Sequence, residues 1–383
     1  MKYFITILGI IGWLSSIFGQ ASICLPTFSG VIANRSVGRS LSDAKVMRVN
    51  IHFMLKTDGS GNFNEYTDGD GRYYSGYDFA RQLIDEMNGR NSWNQQMNIP
   101  PGNTTPVIAK NFYYVLDACY FWRNDATYNF NTIDYANQGK DKSEVINVFL
   151  SSNPGQNVGG YASNLDPLSK IKYTEDRQYW SAYKDVMTNG LPFGWFIGSV
   201  ASNTIHEIGH LTGLSHTVKY NWSTPCPTGC PNSTAIDVNC DDGCNDTPSA
   251  WDITNLNNCT KHPDCGWWDV NNTSYCSNNV MDYSGQNALT PCQIGVIHGS
   301  LEGGMKTYLQ CTAVSTDLSL CDIGYPKVSY FGKNVSFGCS ATMAYLTNQE
   351  KIATYFSSSI ELINFEVRSD SEFEAIYAPV CSF

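Results

Sequence analysis

Along residues 46–56, VMRVNIHFMLK, apolar and polar positions alternate. Met47, Val49, Ile51, Phe53 and Leu55 therefore share one face, which predicts a β-strand with that face in a core. A Gly/Asp-rich stretch follows, and then Ala80, Leu83, Ile84 and Met87 recur at three- and four-residue spacing, as in an amphipathic helix. IAKNFYYVLDACYFW (108–122) and VINVFL (145–150) predict two more strands. Strands interleaved with a helix make the N-terminal half α/β in character. A second long helix is expected from about Phe196 through His210. Residues 217–280 hold no sustained period, and a short helix starts at Thr290–Pro291, a capping hydroxyl followed by proline at the first helical position. Ile294, Ile297 and Leu301 give that helix its buried side. Beyond about Cys311 the texture becomes short β-rich pieces such as KIATYFSSSIELINFEV and EFEAIYAPV, which predict a small all-β appendage with its boundary at 312–325.

Composition narrows the class. The chain has 383 residues, enough for one large domain and a smaller one, and is 42% hydrophobic with only 15% charged residues. A formal net charge of −11 leaves little to neutralise phosphates, so neither nucleic acid nor an anionic membrane surface is an expected partner. The N-terminal MKYFITILGIIGWLSSIFGQAS, one lysine and a short apolar run ending in small residues, has the form of a secretory signal over residues 1–20. No other stretch is apolar for long enough to span a bilayer. With 14 cysteines in an exported chain, disulfides are the expected state, and eight of them crowd into residues 226–292. The four-residue steps Cys226–Cys230 and Cys240–Cys244 also resemble structural zinc spacing, a reading that export disfavours.

One short segment changes the functional picture. HEIGHLTGLSH places His206, His210 and His216, three of the six histidines, within eleven residues. On a helix His206 and His210 face the same side one turn apart and can hold one ion, for which zinc is the natural choice. Gly213 can end the helix in a left-handed conformation and send His216 back as third ligand. Glu207 then lies beside the open coordination position as general base for zinc-bound water, returning the proton to the leaving amine. A structural zinc site would have four protein ligands and no need of that carboxylate. Taken alone, a pair of histidines is more often structural. The complete HExxHxxGxxH on a plausible helix is far more specific.

Together with CNDTPSAWD (244–252) and NNVMDYSGQNALTPC (278–292), the motif resembles the metzincin zinc peptidases, within them the pappalysin/cytophagalysin family, over residues 46–311. The resemblance implies an α+β fold in which a twisted mixed sheet with two long helices overlies an irregular, disulfide-stapled lower subdomain. The domain plan is then a signal peptide (1–20), an N-terminal segment (21–45), the peptidase domain (46–311) and the β-rich C-terminal domain (312–383). It further implies a peptide or protein substrate bound by addition to an edge strand, with VINVFL and the following NVGGYAS as the upper rim. Met281 matches the Met-turn methionine, a floor under the metal, and Tyr283 the tyrosine that steadies the oxyanion. Relatives hold calcium before the DTP motif, so Asp237, Asp241, Asp242, Asp246 and Thr247 are the candidate ligands here. SGQNALT after Tyr283 lacks the acidic residue that gives some relatives a preference for basic residues. Cys24 has two readings, a thiolate masking the metal or the disulfide partner of another cysteine such as Cys119. The functional expectation is a secreted zinc endopeptidase. The alternative is an extracellular binding or adhesion protein that keeps the scaffold without activity.

Overall fold

The strand expected around residue 50 runs over Lys45–Leu55 (β1) and is buried from Met47 onward on both faces rather than one. The reason is its place in the sheet. β1 lies between two parallel neighbours, Phe112–Arg123 (β2) and Ile146–Ser152 (β3), in a five-stranded sheet completed by Gly160–Ala162 (β4) and Ile171–Glu175 (β5). The strand order is β2-β1-β3-β5-β4, with only β4 antiparallel. Parallel strands of this kind are covered on both sides. The computed structural model describes residues 44–67, 74–97, 103–129, 132–152, 160–162, 171–175, 193–217, 243–244, 246–247, 259–261, 267–269, 277–282, 287–315, 318–320, 326–337, 344–346, 351–362, 365–367 and 371–378. These fall into two compact units, Ala44–Gln310 and Cys311–Ser382.

Two helices cover one face of the sheet. Gly76–Asn91 (α1) begins with a capping box in which Ser75 accepts from the Asp78 amide and Asp78 accepts from the Ser75 amide. It packs on β2 and on Phe193–Leu211 (α2), which in turn reaches β4 and β5. Phe53, from the apolar face of β1, meets Phe79 of α1 with ring centroids 6.2 Å apart. Asn88 clamps helix to strand, exchanging two hydrogen bonds of 2.8 and 2.9 Å with the backbone of Tyr114.

On the other face β1 presents Arg48, Asn50, His52 and Met54. Ile133 joins Met54 and Phe149 in a cluster, the Lys140 carbonyl accepts from Asn50, and His52 stacks with Tyr120, Trp122 and Phe149. His52 is neutral there, and its tautomer is determined. Trp122 can only donate, so its indole N–H reaches His52 Nδ1 at 3.0 Å, and His52 Nε2–H donates to Asn147 Oδ1 at 2.7 Å. Burial takes His52 down to about 3. A depressed folded-state value means that stability is complete above the unfolded value of about 6.5 and is lost as pH falls towards 3, at roughly 1.4 kcal/mol per pH unit. His52→Gln keeps a donor and an acceptor but cannot titrate. Its unfolding free energy should fall by one proton's worth less per pH unit between pH 6 and 4 than that of the parent, measured by urea titration. Identical slopes would dismiss this account.

Cys119 of β2 is a buried free thiol, so the pairing of Cys24 with Cys119 is not made. Cys24 itself lies outside the described residues, as do residues 1–20. A second correction concerns the rim. VINVFL lies in β3, hydrogen-bonded on both sides to β1 and β5, and has no free edge for a peptide. The edge strands among the described residues are β2 and β4, and β4 lies within NVGGYAS.

The short helix expected at Thr290 is Pro291–Glu302 (α3), with Thr290 as N-cap, a capping box to Gln293, and Ile294, Ile297 and Leu301 buried. Cys259–Lys261 (β6) and Trp267–Asp269 (β7) form a small antiparallel pair. In Cys311–Ser382 the strands Leu318–Leu320 (β8), Ser329–Phe337 (β9), Lys351–Leu362 (β11) and Glu372–Tyr377 (β13) form one parallel sheet in the order β13-β11-β9-β8. Ala344–Leu346 (β10) and Phe365–Val367 (β12) form a second. Lys351 pairs with Glu372 and Ala344 with Phe365, both 21 residues on, whereas Ser329 pairs with Ala353, 24 on, and Leu318 with Val335, 17 on. Tyr330, Val335 and Ile352 form its core with Leu318, Phe356 and Phe373 packed around them.

Candidate active site

Helix α2 extends from Phe193 to Leu211 and carries His206 and His210 on adjacent turns. It ends in a Schellman turn, with the Leu214 amide bonding to Gly209 O at 2.9 Å and the Gly213 amide to His210 O at 3.1 Å. Gly213 sits at φ +98°, where an L side chain is strained. Beyond this turn the chain doubles back and His216 rejoins the helix. The three Nε2 atoms lie 3.0 Å (His206–His216), 3.0 Å (His210–His216) and 3.2 Å (His206–His210) apart.

These contacts are not hydrogen bonds between rings. His206 Nδ1 lies 2.7 Å from the Val280 carbonyl and His210 Nδ1 lies 2.8 Å from the Leu214 carbonyl. A carbonyl can only accept, so both Nδ1 atoms carry the proton and both Nε2 atoms present lone pairs. Burial, reinforced by mutual repulsion, takes His206 to about 3 and His216 to about 2, and burial lowers His210 as well, so the imidazoles are neutral as metal ligands must be. Converging lone pairs repel unless a cation lies between them. Three nitrogens each about 2.0–2.1 Å from one ion at tetrahedral angles are roughly 3.3 Å apart, so the donor set fits a three-histidine zinc centre.

Glu207 follows the first ligand and is only 6% exposed. Burial pushes its carboxyl up to about 8, while a hydrogen bond from the Ala162 amide pulls the other way. Ala162 belongs to edge strand β4, so the sheet rim and the carboxylate are joined directly. Beneath the ligands Met281 is completely buried against α2. A Cβ added at Gly209 would stand 2.5 Å from Met281 Sδ, and this close approach explains glycine inside a helix where alanine is favoured by about 1 kcal/mol.

Of the other expected site residues, Asp246 and Thr247 are described. Asp246 accepts from Thr290 Oγ1 at 2.6 Å and from the Cys292 amide at 2.9 Å, at the N-terminus of α3. Thr247 donates to the Cys244 carbonyl at 2.8 Å. A disulfide, Cys244–Cys292, closes the same turn with its Cα atoms 5.6 Å apart, which removes Cys244 from any zinc pair with Cys240. Asp237, Asp241, Asp242 and Tyr283 lie outside the described residues. Three contributors escaped the sequence reading, the carbonyls of Val280 and Leu214 and the amide of Ala162. No side-chain pattern marks them, because every residue carries the same backbone groups.

Gly213 offers a quantitative check. A Cβ there would meet only Val296 Cγ1 at 3.6 Å, so the cost of substitution is purely conformational. Gly213→Ala should lose about 1–2 kcal/mol of stability and bind metal more weakly, while Gly213→Asn, better tolerated in this region, should lose less. Chelator competition across the series reads the order directly. Equal metal affinity in all three would mean that the turn does not deliver His216.

Residues 181–302 match the model of peptidase family M43, described as pregnancy-associated plasma protein-A. No curated protein matches the sequence. Among solved structures, Tannerella forsythia mature mirolysin in complex with a cleaved peptide superposes with a TM-score of 0.39 at 15% identity, over 69% of this chain and 95% of that one. The family match lies across the three histidines, Glu207 and Met281, so the matched segment is that of a zinc metallopeptidase of the pappalysin type.

Proposed function

We propose that the protein is a secreted endopeptidase in which Glu207 activates water at a zinc ion held by His206, His210 and His216. The observation that carries this reading is the convergence of three Nε2 lone pairs, 3.0–3.2 Å apart, next to a buried carboxylate. Bound there, the ion would act as a Lewis acid and lower the pKa of water to about 7. Glu207 takes the proton of the attacking water and returns it to the leaving nitrogen, held in place by the Ala162 amide. Edge strand β4 offers backbone groups to an extended peptide, which aligns the substrate along the site. Tyr283, two residues beyond Met281, supplies the phenolic donor to the developing oxyanion. Export is supported by the apolar N-terminus and by the Cys244–Cys292 bridge, since disulfides persist in oxidising compartments. Among the described residues no helix is long and apolar enough to cross a membrane.

Calcium belongs to the same proposal. The oxygens of Asp246 each keep lone-pair capacity beyond the bonds to Thr290 and Cys292, and Asp241 and Asp242 are the sequence candidates for completing a hard-cation donor set. Incubating the mature protein with an unstructured protein substrate tests both ions. Cleavage should stop with a zinc chelator and return with stoichiometric zinc, and calcium should raise the melting temperature. No cleavage across a broad peptide library at full zinc occupancy would favour the binding-protein alternative. No thermal shift with millimolar calcium would remove the calcium site.

A further inference from the structure

Behind the metal ligands lies a buried amide pair that the catalytic chemistry does not use. Asn279 and Gln293 are 0% and 1% exposed. Asn279 Nδ2 donates to Gln293 Oε1 at 2.8 Å, and Gln293 Nε2 donates back to Asn279 Oδ1 at 3.2 Å. Each amide is also tied to backbone. Asn279 Oδ1 accepts from the Met281 amide at 2.8 Å, and Gln293 Oε1 accepts from the Thr290 amide at 3.1 Å as part of the α3 capping box. Two further bonds close the turn around Met281, from the Asp282 amide to Asn279 O and from the Val280 amide to Ala288 O.

This turn touches the ligand set at two points. The Val280 carbonyl accepts from His206 Nδ1, and the Met281 carbonyl accepts from the Thr217 amide, one residue past His216. Rotation of the 279–282 backbone would therefore move the group that holds the His206 tautomer and the anchor that follows His216. Buried amides paired in both directions resist such rotation, because breaking the pair leaves unsatisfied polar atoms at about 1–3 kcal/mol each.

We propose that Asn279 and Gln293 are positioning residues for the metal centre, transferring the rigidity of the α3 N-terminus through the Met281 turn to His206 and His216. The proposal rests on the zinc reading of the three histidines. It differs from simple packing in what it predicts. Loss of the pair changes the metal's environment, whereas loss of an equivalent clasp elsewhere changes only stability.

The full-length mature protein loaded with cobalt provides the readout. Gln293→Leu removes every bond of that side chain. Gln293→Glu is the near-isosteric variant, since it retains acceptors for the Thr290 and Asn279 amides but turns the donor to Asn279 Oδ1 into an acceptor facing an acceptor. Asn94→Ala is the control, because Asn94 clasps Leu289, one residue before the cap, through its carbonyl at 2.8 Å and amide at 2.9 Å without touching the Met281 turn. Both Gln293 variants should alter the cobalt absorption spectrum and speed chelator-driven metal loss about 10–100-fold, as loss of an outer-sphere partner does. Asn94→Ala should lower the melting temperature and leave both readouts unchanged. Should Gln293→Leu fail to fold, Gln293→Glu alone decides. A Gln293→Glu protein with the parent spectrum and dissociation rate would overturn the proposal, as would equal changes in Asn94→Ala. A parent that takes up no cobalt in a tetrahedral nitrogen site would instead sink the zinc reading, and this inference with it.

Discussion

Glu207→Gln lowers kcat by roughly two to four orders of magnitude while zinc stays bound, the usual size of a general acid–base contribution. The variant is close to isosteric, and its amide oxygen can still accept from the Ala162 amide, so the site keeps its shape. What disappears is the capacity to take up and return a proton. Burial pushes the carboxyl up and the Ala162 amide pulls it back, so the carboxylate is held by backbone rather than by a counter-charge of the protein. Zinc content by atomic absorption and turnover of a peptide substrate should be measured on the same preparation. Full occupancy with turnover within threefold of the parent would reject Glu207 as the base. Loss of zinc along with activity would show that the substitution disturbed the ligands and would redirect attention to His206.

The largest expected loss of stability comes from Asp117→Ala, at about 3–5 kcal/mol. Asp117 is fully buried and accepts from Arg48 Nε at 3.3 Å and Nη2 at 3.1 Å. Glu144 also reaches Arg48, at 3.6 Å, but more than half of its side chain is in solvent and it substitutes poorly. Taking away Asp117 leaves a guanidinium, itself only 6% exposed, without its main counter-charge inside the sheet. Replacing both partners by apolar residues of similar volume removes the buried charge altogether, so Arg48→Met with Asp117→Leu should cost less than Asp117→Ala alone. Urea unfolding of the three proteins gives the comparison. A loss below 1 kcal/mol for Asp117→Ala would show that the pair is effectively solvated.

Asp117 also illustrates where reading the chain as text fails. Its strand, FYYVLDACYFWR, has a register shift opposite Val49 and Asn50, which pair with Leu116 and Ala118, so Asp117 is the extra residue of a bulge. The apolar alternation changes phase there, and no local pattern announces it. β1 poses the same problem. Met47, Val49, Ile51, Phe53 and Leu55 were legible as one apolar face, yet Arg48, Asn50 and His52, the polar positions between them, are buried as well. Each bonds to a residue far along the chain, Arg48 to Asp117, the Asn50 amide nitrogen to the Lys140 carbonyl and His52 to Asn147. VINVFL was misplaced at the rim for a related reason, since strand order depends on long-range pairing and not on the composition of any one strand.

The catalytic segment was legible because its chemistry is local. Helical periodicity brings His206 and His210 together, a glycine at positive φ turns the chain, and His216 follows within three residues, so the spacing alone contains the geometry. The capped start of α3 at Thr290 was readable for the same reason, as the hydroxyl, the proline and Gln293 are neighbours in sequence. Only the tertiary structure could decide which backbone carbonyls hold the ligand rings, that the edge strand lends an amide to Glu207, and that the thioether of Met281 needs the missing side chain of Gly209. Those arrangements join groups separated by dozens of residues, and they use backbone atoms or empty space, neither of which leaves a mark in a string of side chains.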